Sequence, residues 1–264
     1  SASHENFVIV DNDERSRVIG EVDYYSAPTF IHNDAIYIHQ GRQYYIDNLD
    51  WERRMAFCHE VESDYYTDAE TKTDIHVLEK FQEKAFCDAA VAGGEINVRN
   101  KTIMFKKIKF NTHENLGWGK INLPELEMHT TATWIDFDEE SLNSIAGKPM
   151  TGRILYSIAY ILRNIAPIFT LSDYSDIQVV HQTRSNYSGK PSVFLYDAIP
   201  GGVGIAARVY DIIGLIAEES IRIVNGCGCA SGCPGCIGPL PSDDEHIKHY
   251  VIRVLHTLAH GSEG

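Results

Sequence analysis

Four of the chain's six cysteines, Cys227, Cys229, Cys233 and Cys236, fall within ten residues in the spacing C-x-C-x3-C-x2-C. Two short thiolate pairs separated by three residues can wrap one ion and place sulfur at every corner of a tetrahedron. Such a centre leaves no position for water or substrate, so the expected ion is a structural Zn2+ and not a catalytic one. Glycines at 226, 228, 232, 235 and 238 are interleaved with these cysteines. They free the backbone to turn N–H groups toward sulfur and offset the negative charge of a tetrathiolate centre. On the residues alone, two other readings stay open. Four thiolates also hold iron–sulfur clusters, and Cys233-Pro234-Gly235-Cys236 has the form of a redox pair or disulfide. Tight pairs suit a single ion better than a larger cluster, and no secretory signal implies an oxidising compartment. Cys58 and Cys87 stand far away in sequence and are expected to be ordinary buried thiols.

Other chemistry is sparse. The chain has no G-x4-G-K-[ST] segment, so ATP hydrolysis by a P-loop is not expected of it. Asp243-Asp244-Glu245-His246 reads as a carboxylate-rich helix start, which the helix dipole favours. His59-Glu60 lacks a second histidine at metalloprotease spacing, because position 63 is Ser63. His256 and His260, four apart, read as a surface pair. The turn Gly201-Gly202-Val203-Gly204 is expected to let the helix beginning near Val203 pack close to the preceding strand, with anion contact as the sharper alternative. A free-standing enzyme would have to draw on Asp197, His181 and His129, whose spacing does not by itself demand a shared site.

The formal net charge of −14 runs against the basic footprint that phosphate neutralisation gives most nucleic-acid-binding domains. Against it stands a local run of Arg99, Lys101, Lys106, Lys107 and Lys109, with Arg53-Arg54 as a second basic pair. The run is either a solvated strand face or a narrow DNA-facing strip on an acidic body.

The elements that must position these residues change period along the chain. The first half reads as strands. Residues 35–39 and 44–46 flank a turn at Gln40-Gly41, and residues 55–61, 75–81, 95–98, 102–110 and 127–137 continue the pattern. The expectation is a small barrel or curled sheet. From Asp138 the period becomes helical. Residues 151–165, 203–224 and 243–260 each carry an apolar stripe, and short strands at 177–180 and 192–196 lie between them. Gly226 is expected to cap the second long helix and feed directly into Cys227. The fold class is therefore α+β, with a β-rich region over 1–138 and a helix-rich zinc-binding region over 139–264. The most apolar stretch, 154–169, is broken by Arg163 and Asn164, so no membrane span is expected. The chain opens Ser1-Ala2-Ser3 without methionine, which reads as an expression scar or as the start of an excised fragment of a longer protein.

Several motifs in order carry a resemblance: residues 35–41, Leu116-Gly117-Trp118-Gly119, the run 129–134, the run 196–204, and the cysteine run 227–236. Together they resemble the C-terminal four-cysteine zinc-binding domain of a group of bacterial and eukaryotic DEAD/DEAH-type DNA helicases. The resemblance implies a parent that is an ATP-dependent 3′-to-5′ DNA helicase acting in DNA repair, cytoplasmic or associated with the nucleoid. Its motor domains would precede Ser1. It assigns Cys227, Cys229, Cys233 and Cys236 as zinc ligands, and it makes the region a non-catalytic module beside the motor that helps hold or separate DNA strands. For the isolated chain the expectation is weak, salt-sensitive binding to single-stranded DNA, with a protein–protein docking platform as an alternative role.

Overall fold

The computed structural model describes residues 6–12, 17–239 and 245–259. Strands come first in the chain: Phe7–Asp11 (β1), Arg17–Val22 (β2), the one-turn helix Ala27–Phe30 (α1), Ile36–His39 (β3), Arg42–Asp50 (β4), Met55–Val61 (β5), Tyr65–Ala85 (β6), Ala89–Lys109 (β7), Asn115–Lys120 (β8) and Leu126–Phe137 (β9). Helices then dominate: Glu139–Ala146 (α2), Thr151–Thr170 (α3), strands Ile177–Gln182 (β10) and Ser192–Asp197 (β11), then Ile205–Gly226 (α4) and Ile247–Ala259 (α5). The step falls at Asp138, whose carboxylate accepts from the Ser141 backbone N–H at 2.9 Å and caps α2. The chain forms two compact units, Ser1–Asp74 with Arg99–Glu127, and Ile75–Val98 with Met128–Gly264.

In the first unit, β2-β1-β5-β4-β3 make a five-stranded sheet in which β1 and β5 run parallel and the other pairs antiparallel. Gln40 and Gly41 turn β3 into β4 with φ of 49° and 79°, as the Gly-containing turn leads one to expect. Alternate residues point inward, so Phe7, Ile9, Ile46, Ala56 and Cys58 join Ile31 and Ala35 in a small core. Cys58 is the buried thiol expected, its Sγ 3.4 Å from the Val10 carbonyl oxygen. Cys87 is not: it is exposed, because it lies in the turn between β6 and β7 and not on a strand's inner face.

The fragments expected at 75–81, 95–98 and 102–110 are parts of two strands of 21 residues each. The polar stretch around Asn100 reads as a break in sequence. In the structure the strand continues through it, because the partner strand supplies what its side chains need. Thr73 Oγ1 donates to Asn100 Oδ1 at 2.7 Å, and the Thr71 and Thr102 hydroxyls meet at 2.9 Å.

The second unit holds the larger core. The stripe read from α3, Ile154, Leu155, Ile158, Ala159, Leu162 and Ile165, is buried in full, and α4 and α5 contribute Val209, Ile213, Ile216, Val224, Val251, Val254 and Leu258. Two helix boundaries differ from expectation. Helix α4 begins at Ile205, leaving Val203 exposed in the turn. Helix α3 runs beyond residue 165 through Pro167 and stops at Leu171, which takes the left-handed conformation at φ 54°. The last helix is described from Ile247 to Ala259. The expected start at Asp243 and the partner His260 lie outside the described residues.

Candidate metal centre

The cysteine loop joins the end of α4 to the segment that precedes α5. Gly226 is the last helical residue and not a left-handed cap. Cys227 takes the cap position in extended conformation, its N–H bonded to Ile223 O at 3.1 Å. The backbone then folds so that the ligand atoms of Cys227, Cys229, Cys233 and Cys236 all lie within 4.8 Å of one another. Sγ separations are 3.6 Å for Cys227 to Cys233, 3.6 Å for Cys229 to Cys236 and 3.7 Å for Cys233 to Cys236. A tetrahedron with Zn–S bonds of about 2.3 Å has edges of about 3.8 Å. The thiols are thus already spaced for one tetrahedral ion. They are too far apart for the ~2.05 Å of a disulfide, and all six cysteines are free. An iron–sulfur cluster interposes irons and sulfides between its thiolates and needs a wider cage.

The loop reaches this shape through contacts of its own and through two side chains from the helices. Cys236 N–H and Ile237 N–H both donate to the Cys233 carbonyl, at 3.0 and 3.1 Å, and Cys233 N–H points at Cys236 Sγ at 3.3 Å. Gly232 sits at φ 114°, and a Cβ there would come within 2.1 Å of Ile237 Cδ1, so both conformation and space require glycine. Lys248 on α5 donates from Nζ to the carbonyls of Cys227 at 2.7 Å and Cys229 at 2.9 Å. Tyr160 on α3 donates its hydroxyl to the Pro234 carbonyl at 2.6 Å. Lys248 thereby ties α5 to the loop and holds the backbone of two of its cysteines. Backbone and thiol hydrogen bonds, that of Cys229 N–H foremost, hold the Cys227 thiol down to about 7. Burial pushes the Cys236 thiol up to about 12. Neither Lys248 nor Tyr160 was among the residues singled out in sequence. A lysine one residue into α5 and a tyrosine on the flank of α3's apolar stripe carry no spacing signal.

The glycine turn before α4 does contact an anion, and that anion belongs to the protein. The buried carboxylate of Asp197 accepts from the N–H groups of Val203 at 2.6 Å, Gly204 at 2.9 Å and Ala206 at 2.7 Å, and from the Thr131 hydroxyl at 3.2 Å. It fills the helix N-terminus that a phosphate would otherwise occupy. Gly202, at φ 72°, lies so close to Thr131 that a Cβ would come within 2.3 Å of Oγ1. Asp197 is therefore spent on structure. His129 and His181 have exposed side chains; His181 lies edge-on to Tyr156, and His129 meets the glycine turn through its backbone oxygen, which accepts from Gly201 N–H at 2.8 Å. Among the described residues, these three side chains share no hydrogen bond.

The basic run lies on β7 in the first unit, and most of its charges have partners. Arg99 pairs with Glu127 at 3.2 Å and Lys106 with Glu70 at 3.4 Å. Lys101 donates to the Leu123 carbonyl at 2.5 Å, and Lys107 lies 5.3 Å above the Tyr65 ring. Lys109 is half-buried at the strand's end. The five do not form one row: successive residues of a strand face opposite sides, so Lys106 and Lys107 diverge.

Comparison with known proteins matches the same geometry. The family described as the MrfA Zn-binding domain matches residues 158–237, which end just past the last cysteine. The ATP-dependent helicase YprA of Bacillus subtilis is 39% identical over 240 residues, covering 90% of this chain and 32% of the relative. The ATP-dependent helicase HRQ1 of Saccharomyces cerevisiae is 22% identical over 248 residues, 88% of this chain and 23% of its own length. The crystal structure of the helicase MrfA bound to DNA superposes with a TM-score of 0.71 at 37% identity, covering 98% of this chain and 34% of that one. The chain thus spans about a third or less of the length of each of these three helicases. Residues 158–237 match the MrfA Zn-binding domain, and nearly the whole chain is similar in sequence and fold to about a third of the helicase MrfA.

Proposed function

We propose that this chain is a non-catalytic accessory module of an ATP-dependent DNA helicase that acts in DNA repair. One structural zinc is held by Cys227, Cys229, Cys233 and Cys236. The observation that carries the reading is the closed four-sulfur cage, with edges matching a zinc tetrahedron and no corner for substrate. The similarity to DNA-bound MrfA, over 98% of this chain but 34% of the other, supports a role beside a motor that a longer protein would contain. In that role the helical unit braces the module through its metal. The module docks on the motor domains and guides single-stranded DNA, and its binding to DNA in isolation is weak because the chain as a whole is acidic. No helix among the described residues is long and apolar enough to cross a membrane, and the proposed place of action is the cytoplasm or nucleoid.

Three measurements on the purified chain test this together. Elemental analysis is expected to give one zinc per chain, ATP turnover is expected to be absent, and binding to single-stranded DNA is expected to weaken steeply with salt. Substantial ATP turnover by a highly purified sample, or a fully folded chain without zinc, would overturn the reading.

A further inference from the structure

The motif Leu116-Gly117-Trp118-Gly119 is not explained by the metal centre. It forms most of β8, which pairs antiparallel with β7. Cα partners are Met104 with Lys120, Phe105 with Gly119, Lys106 with Trp118 and Lys107 with Gly117. Directly opposed residues share a face, so one face carries Trp118, Lys120, Lys106 and Met104. The other carries the two glycines over Phe105 and Lys107. The glycines fix which face is which. Phe105 is buried, and a Cβ at Gly119 would come within 2.4 Å of its ring. The inner face of β8 is therefore bare so that Phe105 can fill it, and Trp118 must point outward, where it is 61% exposed beside an exposed Leu116.

Exposed apolar side chains are ordinary in themselves; what sets Trp118 apart is the charge around it. Residues 99–120 hold six of the chain's 23 lysines and arginines and a single carboxylate, Glu114, in a chain of net charge −14. Two of those lysines, Lys106 and Lys120, are on the indole's own face. The Lys106–Glu70 pair is solvent-exposed on both sides, and such pairs exchange partners at little cost. A flat π surface flanked by cations is the arrangement that binds an unpaired base and its phosphates.

We propose that Trp118 is a stacking platform for an unpaired nucleobase, with Lys106 and Lys120 contacting the adjoining phosphates. This rests on the proposed DNA-guiding role and names the residues that would perform it. The test uses the whole 264-residue chain and an oligothymidylate of about 15 nucleotides, followed by fluorescence anisotropy at low salt. W118A is expected to weaken binding about 5- to 150-fold, with W118F retaining most of the affinity. K120Q and K106Q are each expected to reduce the slope of log affinity against log salt by about 0.7. Of the three tryptophans, Trp134 is buried and Trp51 packs against the first unit's core. Quenching of tryptophan emission on binding should therefore disappear in W118F. A melting temperature unchanged in W118A, as expected for an exposed side chain, confirms that the loss is not unfolding. Wild-type binding that W118A leaves intact would overturn the platform while leaving the accessory-module reading standing. Absence of any wild-type binding would overturn both the platform and the DNA-guiding role, while zinc content and ATP turnover still decide the rest.

Discussion

At the scale of single residues, the cysteine loop combines two kinds of requirement. The four sulfurs need a metal, and the backbone that presents them needs Gly232, because Ile237 occupies the space where a Cβ would go. Removing one ligand leaves three thiolates and a broken tetrahedron. Cys233→Ser is expected to reduce bound zinc to well below one per chain by elemental analysis. Structural zinc contributes on the order of 10 kcal/mol to isolated zinc-finger peptides. Here the loop is flanked by a large helical core, so the loss should appear as a lower melting temperature with local unravelling between α4 and α5. Retention of full zinc stoichiometry in Cys233→Ser would count against the ligand set. The residue scale was also the most legible in sequence for the metal. C-x-C-x3-C-x2-C is a local pattern, and ligand spacing along a short loop fixes which atoms can reach one ion. The same scale left the role of Asp197 open. Its type suggests chemistry, yet four hydrogen bonds consume its carboxylate.

At the scale of elements, the long helices follow their stripes. The spacing of Ile154, Leu155, Ile158, Leu162 and Ile165 puts them on one helix face whatever lies opposite, and that face is buried. Strands were legible where they end in turns, as at Gln40-Gly41, and fragmented where polar residues interrupt them, as at Asn100. A strand's polar residue can be satisfied only by its neighbour strand, which a single stretch of sequence does not display. Helix α4 shows the same dependence at its start. Its N-terminal N–H groups are capped not by a residue just upstream but by Asp197 across the glycine turn. Asp197→Asn removes the charge and replaces one accepting oxygen by a donor facing donors. It is expected to destabilise the chain by about 2–3 kcal/mol, read as a lower urea midpoint, with amide exchange accelerated in the first turn of α4. An unchanged midpoint would mean that Asp197 is not what holds that helix end.

At the scale of the whole molecule, the two units have separate cores. One is built around Phe7, Ile9, Ile46 and Ala56, and the other around the helices and β9, β11 and the zinc loop. Zinc can stabilise only the core it touches. Stripping the metal with a chelator is expected to lower the melting transition of the helical unit by on the order of 10 °C and to leave that of the sheet unit in place. Calorimetry with and without chelator measures this, and an equal shift of both transitions would show the two cores to melt as one. What the sequence determined by itself was whatever depends on near neighbours: the gathering of four cysteines in one loop, the helix faces, the turns, and the change from strand to helix at Asp138. What only the tertiary structure decided was whatever depends on a partner far along the chain. This includes Lys248 and Tyr160 gripping the cysteine loop, Asp197 serving as a cap in place of a catalytic acid, the ion pairs that occupy Arg99 and Lys106, and the outward face of Trp118. The physical reason is range. Ligand spacing and helical periodicity are set by covalent geometry over a few residues. A buried charge or an exposed ring takes its role from atoms that folding alone brings beside it.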